Sequence, residues 1–193
     1  MRTVQRDLLV LGPLLLLGTL ALTGCTPEPV PQAPQASETT GPTDAPVFAS
    51  DEEALAAATE AYAAYLAASD AAGEAGTPSR DLFLSLSSGR AHEEELSVAT
   101  SFDERGWKQI GSTSFDSMAI QSVEINAEKK WEIRVYVCLD VTKSDIVDSS
   151  GVSVSQPDRP LRMPLTVAFV GTDQHIDHFK MTESQVWSGS DFC

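Results

Sequence analysis

Basic residues are scarce in this chain: 13 Lys and Arg stand against 28 Asp and Glu in 193 residues, a formal net charge of −15. Phosphate contacts need clustered Lys and Arg, so this balance excludes nucleic acid as a partner. It also argues against direct docking on an anionic membrane surface. Cysteine is rarer still, with three in all and no Cys-x-x-Cys pair. A thiolate redox or zinc motif therefore has no support from spacing. The run His92-Glu93-Glu94-Glu95 lacks the second histidine of a zinc-protease helix and is expected to be a solvated face. There is no glycine-rich phosphate loop and no Gly-x-Ser-x-Gly elbow. No motif asks for a cofactor, and none is expected. The longest apolar run, residues 8–22, has 15 residues interrupted by Gly12 and Pro13. A membrane-spanning helix needs roughly 20.

That short run has a different use. Arg2 and Arg6 precede it, and the small residues Thr23 and Gly24 follow it, just ahead of Cys25. A positive start, a short apolar run and narrow side chains at a cleavage point make an export signal. At Leu22-Thr23-Gly24-Cys25 the stretch resembles a bacterial lipoprotein signal, whose lipobox reads Leu-x-Gly-Cys. The resemblance implies that residues 1–24 are removed and that Cys25 takes a diacylglyceryl group on its sulfur and becomes the mature N-terminus. The membrane is then a partner through lipid on Cys25, with the protein on the extracytoplasmic face. Acyl chains contribute about 0.8 kcal/mol per buried methylene, and two or more hold a protein stably. An uncleaved membrane anchor and a coincidental cysteine are the competing readings.

Residues 26–46 contain Pro27, Pro29, Pro31, Pro34, Pro42 and Pro46 among Gln, Thr, Ser and Ala. Proline lacks a backbone donor, and the segment has too little apolar surface to offset the entropy of ordering. It reads as a semi-extended tether of about 3.1 Å per residue, reaching at most roughly 60 Å. Glycosylation of its threonines is the alternative use. The remaining 147 residues, 47–193, suffice for one domain with a hydrophobic core. With Cys25 lipidated, Cys138 and Cys193 remain. An exported domain with one such pair usually bridges it. The bond would close 55 residues, for about 4 kcal/mol in the chain-entropy account. A thiol pair for metal or redox chemistry is the alternative.

Ser50-Asp51-Glu52-Glu53 has the form of a capping box. The alanine-rich stretch after it places Leu55, Ala58, Tyr62, Tyr65, Leu66 and Ser69 on one helical face, with Gly73 and Gly76 expected to end the helix. Thr77-Pro78 opens a second, short helix with Leu82, Phe83 and Leu86. A third is expected over 91–105, with Leu96, Ala99 and Phe102 inward and Gly106 as its stop. After Gly111 the period changes to two. Trp131, Ile133, Val135, Val137, Leu139 and Val141 alternate with mostly polar residues, as in a half-buried antiparallel strand. Segments 117–125, 161–170 and 175–187 read as three more strands. Turns are expected at 126–128 and 171–173, and a longer excursion over 143–160 with a short hairpin at Gly151.

Helices followed by strands predict an α+β fold, with N-terminal helices packed on a curved antiparallel sheet of about four strands. This order over residues 51–193 resembles the NTF2-like, or cystatin-like cone, superfamily. The lipobox, the Pro/Thr tether, the alanine-rich domain and the placement of Cys138 and Cys193 also look like lipoproteins of actinobacteria. Enzymes of the cone type, such as ketosteroid isomerases and dehydratases, place Asp, His or Tyr inside an apolar cone. Asp140 is the tempting candidate, but it shares its parity with Glu132 and Arg134 and belongs on the outer face. Asp173, His175 and Asp177 alternate and could offer metal ligands, whereas His178 has the opposite parity. Ordinary surface residues are the expectation for all four. Two function classes follow: a non-catalytic lipoprotein that binds a small apolar ligand or an envelope protein, and a pocket enzyme of the isomerase or dehydratase type.

Overall fold

The computed structural model describes residues 48–193 apart from Gly76, Lys129, residues 172–178 and Asp191. Cys25 and the segments 1–24 and 25–46 lie outside the described residues, as do Asp173, His175, Asp177 and His178. The element order is α1 (Asp51–Ala75), α2 (Thr77–Ser85), α3 (Gly89–Arg105), β1 (Lys108–Gly111), β2 (Ser114–Ile125), β3 (Trp131–Asp140), β4 (Ser144–Val147), β5 (Arg162–Gly171) and β6 (Lys180–Val186).

Helix ends follow local chemistry. Ser50 Oγ accepts the Glu53 N–H at 3.3 Å, and the Glu53 carboxylate reaches back to the Ala49 N–H at 2.6 Å. This is the capping box, with its return arm landing one residue early. Gly73 does not stop α1. A Cβ there would lie 2.6 Å from the Gln109 Cβ, so the glycine lets β1 approach the helix. Gly106 ends α3 as expected. It adopts φ 64°, its N–H donates to Asp103 O, and the Trp107 N–H donates to Phe102 O at 2.9 Å.

The sheet is antiparallel with strand order β2-β3-β5-β6, and it does not close into a barrel. The α+β architecture of helices followed by a four-stranded sheet is therefore as the sequence predicts. A second sheet, absent from that expectation, pairs β1 with β4. Extra residues in β2 between Asp116 and Ala119 and between Ile120 and Ser122, and one in β6, interrupt the ladder and bend the strands. Asn126 Oδ1 accepts the N–H groups of Glu128 and Lys130 in the β2–β3 turn. The expected hairpin at Gly151 is present, with the Val154 N–H donating to Ile146 O.

The core lies between α1 and the inner sheet face. Ile133, Val135 and Val137 of β3 pair with Phe169, Val167 and Leu165 of β5 on that face, and all six are buried. Ala54, Ala57 and Ala58 face them from α1. Tyr62 is the wedge, edge-on to Phe115 at 4.9 Å and to Phe169 at 6.2 Å. One inward expectation fails, since Leu96 is 48% exposed; Leu82 of α2 is 60% exposed as well. α2 and α3 do not cover α1 with their leucines. They leave a cleft.

Candidate functional site

The cleft is bounded by the C-terminal half of α1, by α2 and α3, and by β1 and β6, and has a volume of about 460 Å³. Small-molecule sites commonly occupy about 300–1,000 Å³. Tyr65, Phe83, Phe102 and Trp107 give its wall an aromatic character. Tyr65 stacks on Tyr62 at 6.0 Å and meets Phe83 at 5.2 Å, so its ring joins core to cleft. Phe102 lies edge-on to Trp107 at 6.1 Å, and the Arg105 guanidinium sits 4.6 Å from the Trp107 ring centre. A smaller cleft of about 290 Å³ adjoins on the β4 side and shares Tyr65, Ser69, Gln109 and Ser184 with the first. Asp70 anchors the dividing wall. It accepts from Gln109 Nε2 at 2.5 Å, from the Thr113 N–H at 2.9 Å and from Thr113 Oγ1 at 2.9 Å.

Glu95 is the polar feature of the larger cleft. On α3 it shares an inward line with Ala91, Ala99 and Phe102, at spacings of four, four and three. One acid of the His92–Glu95 run is thus turned toward the protein rather than solvated, which corrects the expectation for that run. The reason lies in two hydroxyls. Tyr65 Oη donates to Glu95 Oε1 at 2.7 Å, and Ser87 Oγ donates to Oε2 at 2.5 Å. Ser87 is itself held by the edge of β6: the Ser88 N–H donates to Met181 O, and the Met181 N–H donates to Leu86 O, both at 2.9 Å. Burial raises the Glu95 carboxyl above the ordinary value of 4.5, against the lowering effect of the two hydrogen bonds. The Tyr65 hydroxyl is pushed up, by burial first and by the Glu95 charge second.

Ser87, His92 and Glu95 are neighbours, but not in the order that activates a nucleophile. His92 Nδ1 lies 2.9 Å from Leu84 O, and a carbonyl oxygen can only accept, so Nδ1 carries the proton. The same nitrogen is the one 3.4 Å from Ser87 Oγ, and it offers the serine no base. The Ser87 proton goes to Glu95 instead.

Cys138 and Cys193 form a disulfide, with Cα atoms 5.4 Å apart. Cys138 lies on the outer face of β3, where Trp187 and Phe192 both pack on Tyr136, at 5.0 and 5.9 Å. The segment after β6 thus folds back across the outer sheet face. Asp140 is on that face too, where its Oδ2 accepts from Arg162 Nη1 at 2.8 Å. Among the described residues no group of three His, Cys, Asp or Glu is placed to hold a metal ion. The sequence reasoning missed Glu95. The available signal was its four-residue spacing from Ala91 and Ala99.

No family model matches the chain, and no curated protein matches it. Among solved structures it is similar to the intermembrane space region of the chloroplast protein ARC6, at 11% identity and a TM-score of 0.48, covering 70% of this chain and 97% of that one. It is also similar to a periplasmic fragment of TraM, at 9% identity and a TM-score of 0.45, covering 72% of this chain and 98% of that one.

Proposed function

We propose that the chain is a non-catalytic lipoprotein of bacterial, actinobacterial type, anchored to the extracytoplasmic face of the membrane through lipid on Cys25. Its α+β domain binds a small ligand in the cleft among α1, α2 and α3. The observation that carries the binding role is the cleft itself, about 460 Å³ with an aromatic wall and one inward carboxylate. The lipobox Leu22-Thr23-Gly24-Cys25 supports the anchor, and the Cys138–Cys193 disulfide accords with an oxidising compartment. Two measurements test this reading. Mass spectrometry of the mature chain is expected to find a diacylated Cys25 at its N-terminus, and Cys25→Ser is expected to release the protein from the membrane. Native mass spectrometry of the full chain, purified without denaturation, is expected to show a small molecule retained and chemically unchanged.

Glu95 favours a second reading, a pocket enzyme of the isomerase or dehydratase type that moves a proton on this carboxylate. A carboxyl raised by burial and held against an aromatic wall suits general acid–base work. The two readings separate on what is recovered. A binding protein returns its ligand intact, whereas the enzyme returns it with a hydrogen shifted or water removed.

A further inference from the structure

The larger cleft contains a carboxylate, Glu95, that no Lys or Arg among the described residues pairs with; the His92 ring is the positive group nearest to it in effect. Of the carboxylates on its wall, Asp103 is held by both terminal nitrogens of Arg80, at 2.5 and 2.8 Å. Glu94 is paired with Arg90 at 2.7 Å. Glu74 and Lys108, of opposite sign, are both exposed to solvent. Glu95 alone faces the interior with only hydroxyl partners, Tyr65 and Ser87. Each carboxylate oxygen has two acceptor positions, so one on each oxygen remains after those bonds. An anion withdrawn from water without a cation is costly, and hydroxyl donors offset only part of that cost.

Resting on the reading of this cleft as a ligand site, we propose that its ligand is an organic cation. An ammonium or guanidinium group is set against Glu95, on an apolar or aromatic body lodged among Tyr65, Phe83 and Phe102. The wall discriminates by charge and by shape. An anionic ligand meets Glu95 with like charge, and Arg80 is already occupied by Asp103. A bare metal ion finds one carboxylate where it needs several oxygen ligands. An organic cation needs only one, and its body gains from the aromatic faces, which attract positive charge. Arg105 over Trp107 makes the same kind of pairing within the protein.

The test uses three probes of one shape: 4-phenylbutylammonium, 4-phenylbutanol and 4-phenylbutyrate. Each is titrated into the full-length chain in a non-ionic detergent and followed by calorimetry. The ammonium is expected to bind at least about tenfold more tightly than the alcohol, the factor of one charge-assisted hydrogen bond, with the carboxylate weakest. Glu95→Gln is expected to remove the advantage of the ammonium, so that ammonium and alcohol bind with the same affinity. The amide can still accept from Tyr65 and donate to Ser87, and a thermal melt checks that the variant is folded. Equal binding of ammonium and alcohol, or an advantage that survives in Glu95→Gln, overturns the cation assignment while a ligand site stands. If none of the three binds at millimolar concentration, the site itself fails, and the proposed binding role fails with it.

Discussion

The two halves of α1 are built on different terms. In its N-terminal half the helix presents Ala54, Ala57 and Ala58 to the sheet, all buried, and the Tyr62 ring closes what the small side chains leave open. In its C-terminal half the same face presents Tyr65, Ser69, Ala72 and Gly73, and the opposing wall of α2, α3 and β1 leaves about 460 Å³ unfilled. Alanines allow close approach, and close approach allows dense packing. Along the second half the partners are rings and an acid, which meet at their edges and leave space. One half of a single helix holds the domain together. The other is free to recognise something.

This contrast is open to direct attack, and the largest effect is expected in the core. Phe169→Ala removes a ring packed against Tyr62 and should cost about 3–5 kcal/mol in urea unfolding of the oxidised protein. Phe102→Ala, on the cleft wall, should cost only about 1 kcal/mol. Equal costs at the two sites would erase the distinction. Cys138→Ser tests the outer face of the sheet rather than either half of α1. It should cost about 2–4 kcal/mol and alter the fluorescence of Trp187, whose partner Tyr136 lies beside the lost bond. Gly73→Ala sharpens the boundary between core and cleft. Its Cβ has no room against Gln109, so a loss of about 1–3 kcal/mol is expected by thermal melt.

The smallest effect has the most informative sign. Glu95 has a folded-state pKa raised by burial above its ordinary 4.5. The folded state therefore holds its proton more tightly than the unfolded chain. The associated stability is fully present below about pH 4.5 and is lost as pH rises through the folded value. Glu95→Gln imitates the protonated form. It should raise the melting midpoint slightly at pH 7 and leave it unchanged below the window. A midpoint lowered at pH 7 would mean that the carboxylate charge supports the fold, against the comparison drawn above.

Strong periods made most of the fold legible in the sequence. The alternation through Ile133, Val135 and Val137 is unbroken, and the apolar set it places inward is buried. The capping box at Ser50 and the stop at Gly106 are local chemistry that needs no tertiary context. The β1–β4 ribbon was not legible, because strands of four residues, Lys108–Gly111 and Ser144–Val147, are too short to show a period. Leu96 was misread because a leucine at helical spacing predicts burial only where a neighbouring layer covers it, and none covers it here. Glu95 was misread for the complementary reason. Three consecutive acids look like a solvated face, and nothing local shows that one of them meets hydroxyls from α1 and from the α2–α3 connection.

The Cys138–Cys193 bond has a topological consequence. It makes the chain between those residues a covalent ring that contains β4, β5 and β6. Within that ring the connection after β4 presents the exposed residues Ser149, Ser150, Gly151, Val152 and Ser153, the natural place for a protease to cut. A cut there opens the ring without severing the molecule. The two pieces stay joined through sulfur, with β5 still laddered between β3 and β6. Such a nicked protein would run as one species on a non-reducing gel and as two after reduction, so a single cleavage would mark it without dismantling it.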